Sequence, residues 1–284
     1  MDISGEISER ARAGELLSAV ELDALAAADL LSLGMLADEV RRLRVGDAVT
    51  YARVAEWSGD AGQIGEAGEV RITQLPDSLA AAVAVITGAR AAAGSRLLTV
   101  GSLFDIIERS WKSLADVLAQ LKGAGLDAIA EAPVDRITNL EDALQACFDA
   151  DLPVRCLSLQ SPMTGSRAPM LLAIRSAVTR FPGLLTVAPL SREQSVAVPT
   201  TGYDDVRAVA LSRLALPSVP SIQVDWIQYG PKLAQVALTF GANDVDRVSP
   251  LTDETLGRRR TAVEDLRRNI EAAGFKPQER DHAA

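Results

Sequence analysis

The chain has 284 residues, a length that suits one α/β barrel or two smaller domains. Its 29 basic and 38 acidic residues give a formal charge of −9, which argues against the basic face that nucleic-acid binding needs. Apolar residues make up 48% and aromatics only 4%, so a sizeable core must be built from Ala, Leu and Val.

Cys147 and Cys156 are the two cysteines, too few for a disulfide framework. The single histidine, His282, lies in a polar tail, so histidine–carboxylate metal sites and Ser-His-Asp triads lack their usual parts. No metal site is expected. The N-terminus, MDISGEISERARAGE, has no apolar signal core. The longest apolar run, 79–87, is too short to span a bilayer. A cytoplasmic protein with no nucleic-acid or membrane partner is the expectation.

In chain order, residues 15–46 show apolar side chains at helical spacing and read as two helices, with Gly34 as a candidate interruption. Gly46-Asp47 ends that segment, and a β-like run, 49–54, follows. Residues 57–68, WSGDAGQIGEAG, form a glycine-rich loop. Strand and helix patterns then alternate. The β-like runs are 69–73, 96–101, 127–130, 154–159, 184–189 and 221–226. Helical runs lie between and after them at 77–93, 113–124, 140–150, 168–181, 203–216 and 231–240. An amphipathic helix over about 255–273 closes the chain, with Gly274 placed as its C-cap and Arg258, Arg259 and Arg260 on a solvated face. Such alternation predicts a parallel sheet. With no Gly-x-Gly-x-x-Gly turn, a barrel, complete or partial, is favoured over a dinucleotide-binding sheet. The expected division is a helical segment over 1–48 and a barrel with its C-terminal helix over 49–284, one domain overall.

Several positions carry candidate chemistry. In the run 221–226 alternation puts Ile222, Val224 and Trp226 on one face and Gln223 and Asp225 on the other, pointing into the barrel. Asp225 falls near the strand's C-terminal end, where barrel enzymes place their sites. The bland alternative is a buried polar pair satisfied by neighbours. Gly230-Pro231-Lys232 opens the next helix; its free N–H groups either bind an anionic ligand group or are simply capped. Asn243-Asp244 either lines the same mouth or makes a turn. Arg71 and Thr73, and Ser158 and Gln160, alternate with apolar residues and are candidates for a polar lumen, with Cys156 on the face of Ser158.

The stretch from Thr201 carries a specific resemblance. It combines Asp204-Asp205 and Arg207, Pro220-Ser221-Ile222-Gln223 leading to Trp226, the run 230–235 (GPKLAQ) and Gly241-Ala242-Asn243-Asp244. With the ending 273–281 and the front pieces Asp29-Leu30-Leu31, Leu33-Gly34, Ala37-Asp38, Val40-Arg41-Arg42 and Gly46-Asp47, it resembles the radical S-adenosylmethionine (SAM) enzymes of the futalosine route to menaquinone. These are aminofutalosine synthase and cyclic dehypoxanthinyl futalosine synthase, with FO synthase as a relative. The resemblance covers about 201–281 closely, 22–51 fairly and the middle weakly. It implies a radical-SAM-type (βα) TIM-like barrel with an N-terminal helical cap and a C-terminal helix.

The departures from that pattern bear on function. The family's Cys-x-x-x-Cys-x-x-Cys loop holds an iron–sulfur cluster and follows the first strand; here that place is 57–68, without a cysteine. No glycine-pair motif follows Ile72, and Arg247-Val248 stands where Gly-Thr is expected. The expectation is therefore a cluster-less homologue with no cofactor and no SAM binding. It would serve as a non-catalytic partner or small-molecule binder linked to menaquinone synthesis, paired with a catalytic radical-SAM paralogue or with itself. Two alternatives stay open. One is a non-radical enzyme of the same route using Asp225, Asn243 and Asp244. The other is a structural subunit whose lumen is plugged by apolar side chains.

Overall fold

The computed structural model describes residues 2–163, 165–193, 200–251 and 262–280. Three helices come first: α1 (Gly5–Ala13), α2 (Ala19–Ala26) and α3 (Leu30–Val45). Each starts on a side-chain cap, Ser4, Ser18 and Asp29, that accepts an otherwise orphaned N–H. Ser18 forms a full capping box with Glu21. The spacing over 15–46 thus predicts α2 and α3 but not α1, whose one buried side chain is Ala11. Gly34 does not interrupt α3. It lets α3 approach the Phe240 ring, where a Cβ would sit 2.5 Å from a ring carbon.

The barrel strands are β1 (Ala48–Glu56), β2 (Glu69–Ile72), β3 (Leu97–Ser102), β4 (Ala128–Pro133), β5 (Val154–Leu159), β6 (Thr186–Ser191), β7 (Ser221–Asp225) and β8 (Asp244–Val248). Between them run α4 (Leu79–Ala93), α5 (Leu103–Glu108), α6 (Leu114–Gly123), α7 (Leu140–Asp149), α8 (Ala168–Arg180), α9 (Gly202–Ala215) and α10 (Trp226–Leu238). After β8 come α11 (Ala262–Ala272) and β9 (Lys276–Glu279). Neighbouring strands are parallel in sequence order, and β1 pairs with both β8 and β2, so the eight-stranded barrel is closed and TIM-like. β9 pairs with the first half of β1, over Ala48–Tyr51, while β2 pairs with its last residues, Val54–Glu56. Both therefore use one edge of β1, and β9 plugs the N-terminal end of the barrel beneath β2.

The six strands expected between residues 69 and 226 are present with ends shifted by three residues or fewer. β8 and β9 were not expected. Asn243-Asp244 has turn chemistry, and β9 is short, polar and carries Pro277. The closing helix is described only from Ala262, so residues 255–261, with Arg258, Arg259 and Arg260, and His282 in the tail, lie outside the described residues.

Outward strand positions such as Val70, Ile72, Leu98, Val100, Ile222 and Val224 form the core beneath the helices. Helix α9 is buried from Asp205 to Ala215 apart from Arg207, because α2 and α3 cover its outer side. Arg207 donates to the carbonyls of Ala26 and Ala28 and locks that cover. Arg213, fully buried, is satisfied by the carbonyls of Gly241 (2.9 Å) and Val219 (3.2 Å) and by Asn243. Among the described residues no helix is long and apolar enough to cross a membrane.

Candidate functional site

The inward face of the barrel is charged. Glu69 and Arg71 of β2, Thr99 of β3, Glu131 of β4, Gln223 and Asp225 of β7 and Asp244 and Asp246 of β8 bond to one another or to arginines across the lumen. Successive residues Ala130 and Glu131, and Arg155 and Cys156, line one inner chamber, so strict alternation fails on β4 and β5.

The floor is closed by ion pairs. Arg280, brought in by β9, donates to Asp244 Oδ2 at 2.8 Å and lies 3.7 Å from Asp246 Oδ1. Asp244 also accepts from Gln223 Nε2 at 2.7 Å and Thr50 Oγ1 at 2.6 Å. One layer up, Arg71 bridges Glu69 (2.7 Å) and Asp246 (2.8 Å), and Thr99 donates to Glu69 at 2.7 Å. Burial alone would push the Asp246 carboxyl up, but Arg71 and Arg280 outweigh it and hold it well below the usual carboxylate range. The same exchange raises Arg71 despite its burial. The free space here is about 10 Å³, room for one water molecule.

The mouth is different. Arg192, just beyond β6, donates to Glu131 at 2.8 Å and contacts Asp225 at 3.4 Å. Arg247, in β8, reaches Asp225 at 3.1 Å and also pairs with Glu56 at the end of β1. Asp225 caps α10 as well, accepting the Gln228 N–H at 2.9 Å. Gln228 in turn holds the carbonyls of Ser191 (2.7 Å) and Arg192 (2.8 Å). Above these groups opens a cavity of about 260 Å³, whose charged lining is Arg71, Asp105, Glu131, Arg192, Asp225 and Arg247. It sits at the C-terminal ends of the strands, where barrels place ligands. Arg247 has φ +58°, left-handed backbone at the position where the resemblance expects glycine.

Of the candidate residues, Arg71, Thr73, Gln160 and Asp225 meet at this mouth cavity, and Gln223 and Asp244 lie below them on the floor. Asn243 is not at the mouth. It is buried at the N-terminal end of β8, accepting from the Ile222 N–H (2.9 Å) and bonded to Arg213. Ser158 is buried and lines neither chamber. Gly230 (φ 72°, ψ 169°) breaks α10 after its first turn, and Pro231 reopens the helix. Lys232 is exposed, and Gly230 and Lys232 line neither chamber. Sequence reasoning missed Asp105, Glu131, Arg192, Asp246 and Arg280. Glu69, which shares the face of Arg71, was the one legible hint of paired charges.

The donors at the loop after β1 do not fit an iron–sulfur cluster. Residues 57–68 contain no cysteine; Asp60 accepts the Gly62 N–H at 2.9 Å, and Glu66 pairs with Arg53. Cys147 lies on α7 and Cys156 on β5, both buried, with thiols pushed up to about 12 by burial. Thiolate ligation at that loop would need residues this chain lacks.

Residues 185–283 match the family described as the CofH/MqnC C-terminal region. Among curated proteins, 203 residues are 30% identical to the 5-amino-6-(D-ribitylamino)uracil–L-tyrosine 4-hydroxyphenyl transferase of Methanopyrus kandleri, covering 60% of this chain and 54% of that one. The Archaeoglobus fulgidus transferase of the same name is 37% identical over 90 residues, 29% of this chain and 26% of that one. Aminodeoxyfutalosine synthase of Streptomyces coelicolor is 33% identical over 97 residues, 32% of this chain and 25% of that one. The chain thus spans from about a quarter to about half the length of these relatives. Among solved structures, methylornithine synthase superposes with a TM-score of 0.70 at 14% identity, covering 96% of this chain and 97% of that one. The FeFe-hydrogenase maturase of Carboxydothermus hydrogenoformans gives 0.67 at 14% identity, covering 96% and 78%. These two likenesses speak for the fold, and the C-terminal third of the chain is similar to the CofH/MqnC C-terminal region.

Proposed function

We propose that this chain is a cluster-less relative of aminofutalosine-synthase-type enzymes that binds a small molecule at its barrel mouth without radical chemistry. It does so in the context of menaquinone or related cofactor synthesis, alone or beside a catalytic paralogue. One observation carries the reading. Loop 57–68 leaves β1 where the cysteine triplet is expected, yet it offers no thiol, and Arg247 is pinned beside it between Glu56 and Asp225.

The polar lumen supports a ligand-binding role over a structural one, because an apolar plug was the signature expected of a structural subunit. Acid–base catalysis by Asp225, Asn243 and Asp244 is disfavoured. Asp225 and Asp244 are each held by an arginine and further donors, and Asn243 faces away from the mouth.

The test is calorimetry with L-tyrosine, 5-amino-6-(D-ribitylamino)uracil and aminodeoxyfutalosine, the molecules that the relatives' names specify, followed by product analysis without iron. The reading expects heat of binding for at least one compound and no product. Iron-independent turnover, or no binding of any, overturns it.

A further inference from the structure

Among the described residues, the mouth cavity holds one acid that no side chain hydrogen-bonds. Glu131 and Asp225 are tied to Arg192 and Arg247. Asp105, in the first turn of α5, lines the same cavity. Among the described residues it is the one carboxylate of that lining with no side-chain hydrogen bond or ion pair. Arg109, one turn later, is directed elsewhere. Its guanidinium donates to the carbonyls of Leu75 (2.5 Å), Pro76 (3.0 Å) and Asp105 itself (3.0 Å).

The local pairing leaves Asp105 over. The lining sets three arginines, Arg71, Arg192 and Arg247, against three acids, Asp105, Glu131 and Asp225, but those arginines are paired with Glu69, Asp246, Glu131, Asp225 and Glu56, none with Asp105. A half-buried carboxylate without a hydrogen-bonded counter-charge is costly, and burial pushes the Asp105 carboxyl up although the nearby Arg109 charge works the other way. A ligand nitrogen carrying positive charge would remove that cost with a charge-assisted hydrogen bond.

We propose that Asp105 anchors a cationic nitrogen, a protonated amine or amidine, on the molecule that occupies the mouth cavity. Opposite Asp105, Arg192 and Arg247 are fixed by their acids and present their remaining N–H groups to acceptors on the rest of that molecule. This rests on the reading that the mouth binds a small molecule, and it adds the charge class of that molecule.

The test uses three probes of one shape on the full-length protein: benzamidine (cation), benzamide (neutral) and benzoate (anion). By calorimetry the wild type is expected to bind benzamidine about tenfold more tightly than benzamide, the size of one charge-assisted hydrogen bond. Asp105→Asn, similar in size and half-exposed, is expected to fold and to lose that preference. Wild-type affinity for benzamidine is also expected to fall on acidification as Asp105 takes up a proton, a dependence absent in Asp105→Asn. An unchanged preference in Asp105→Asn, or benzoate as the tightest probe, overturns the proposal. That failure leaves the proposed function standing, because that reading fails instead on absent binding, or on turnover, with the three compounds of its own test.

Discussion

The floor and the mouth of this barrel use the same residue types to opposite ends. On the floor, Arg71 and Arg280 meet Glu69, Asp244 and Asp246 in contacts of 2.7–2.8 Å, and almost no space remains. At the mouth, Arg192 and Arg247 meet Glu131, Asp225 and Glu56, leaving a cavity of about 260 Å³ and an Asp105 without a side-chain hydrogen bond among the described residues. The difference teaches that a charged lumen is not in itself a site. Where every charge is matched the network is scaffold, and the site begins where the matching stops.

The largest expected effect lies on the floor. Arg71→Ala would leave Glu69 and Asp246 buried without their shared partner. Breaking one member of a buried network costs about 3–5 kcal/mol, read as a shift of the urea midpoint. A cost as small as that of a surface pair would break the distinction between floor and mouth.

A buried acid outside the lumen sharpens it. Asp205 at the start of α9 is buried, and burial and Asp204 push its carboxyl up to about 6. A carboxyl raised in the folded state holds its proton more tightly there than in the unfolded chain. Stability is therefore lost as pH rises from about 4 to about 6 and stays lost above, by up to about 3 kcal/mol. Asp205→Asn should abolish that slope in thermal melts taken across the window. A slope that persists unchanged would assign it to other groups.

The smallest effect belongs to the mouth. Arg247 is partly exposed, so its pairs with Glu56 and Asp225 stabilise modestly. Its left-handed backbone also costs about 1 kcal/mol or more in any non-glycine residue. Arg247→Gly should therefore be more stable than Arg247→Ala by about 1 kcal/mol in chemical denaturation. Equal stabilities would mean that this backbone carries no strain.

Much of this architecture was legible in the residues. Period-2 runs such as 154–159 and 221–226 marked strands within three residues of their ends, and Gly230-Pro231 marked where α10 restarts. β8 was hidden because Asn243-Asp244 reads as a turn; its side chains are held in place by Arg213 from α9 and by Gln223 from β7, contacts between residues far apart in the chain. Asp225 and Arg71 were legible as lumen residues through alternation, whereas Glu131 and Arg192 were not. Glu131 sits where β4 places two successive residues toward the lumen, and Arg192 follows a strand rather than lying in one. Arg280 was unreadable as a lumen residue for a topological reason: only the pairing of β9 with β1 carries the C-terminal segment under the barrel.

The most direct measurement of the central claim is anaerobic reconstitution of the purified chain with ferrous iron and sulfide, followed by addition of SAM and dithionite. The account predicts no stoichiometric iron–sulfur cluster by iron analysis and electron paramagnetic resonance, and no 5′-deoxyadenosine. A cluster at one per chain that cleaves SAM would contradict it.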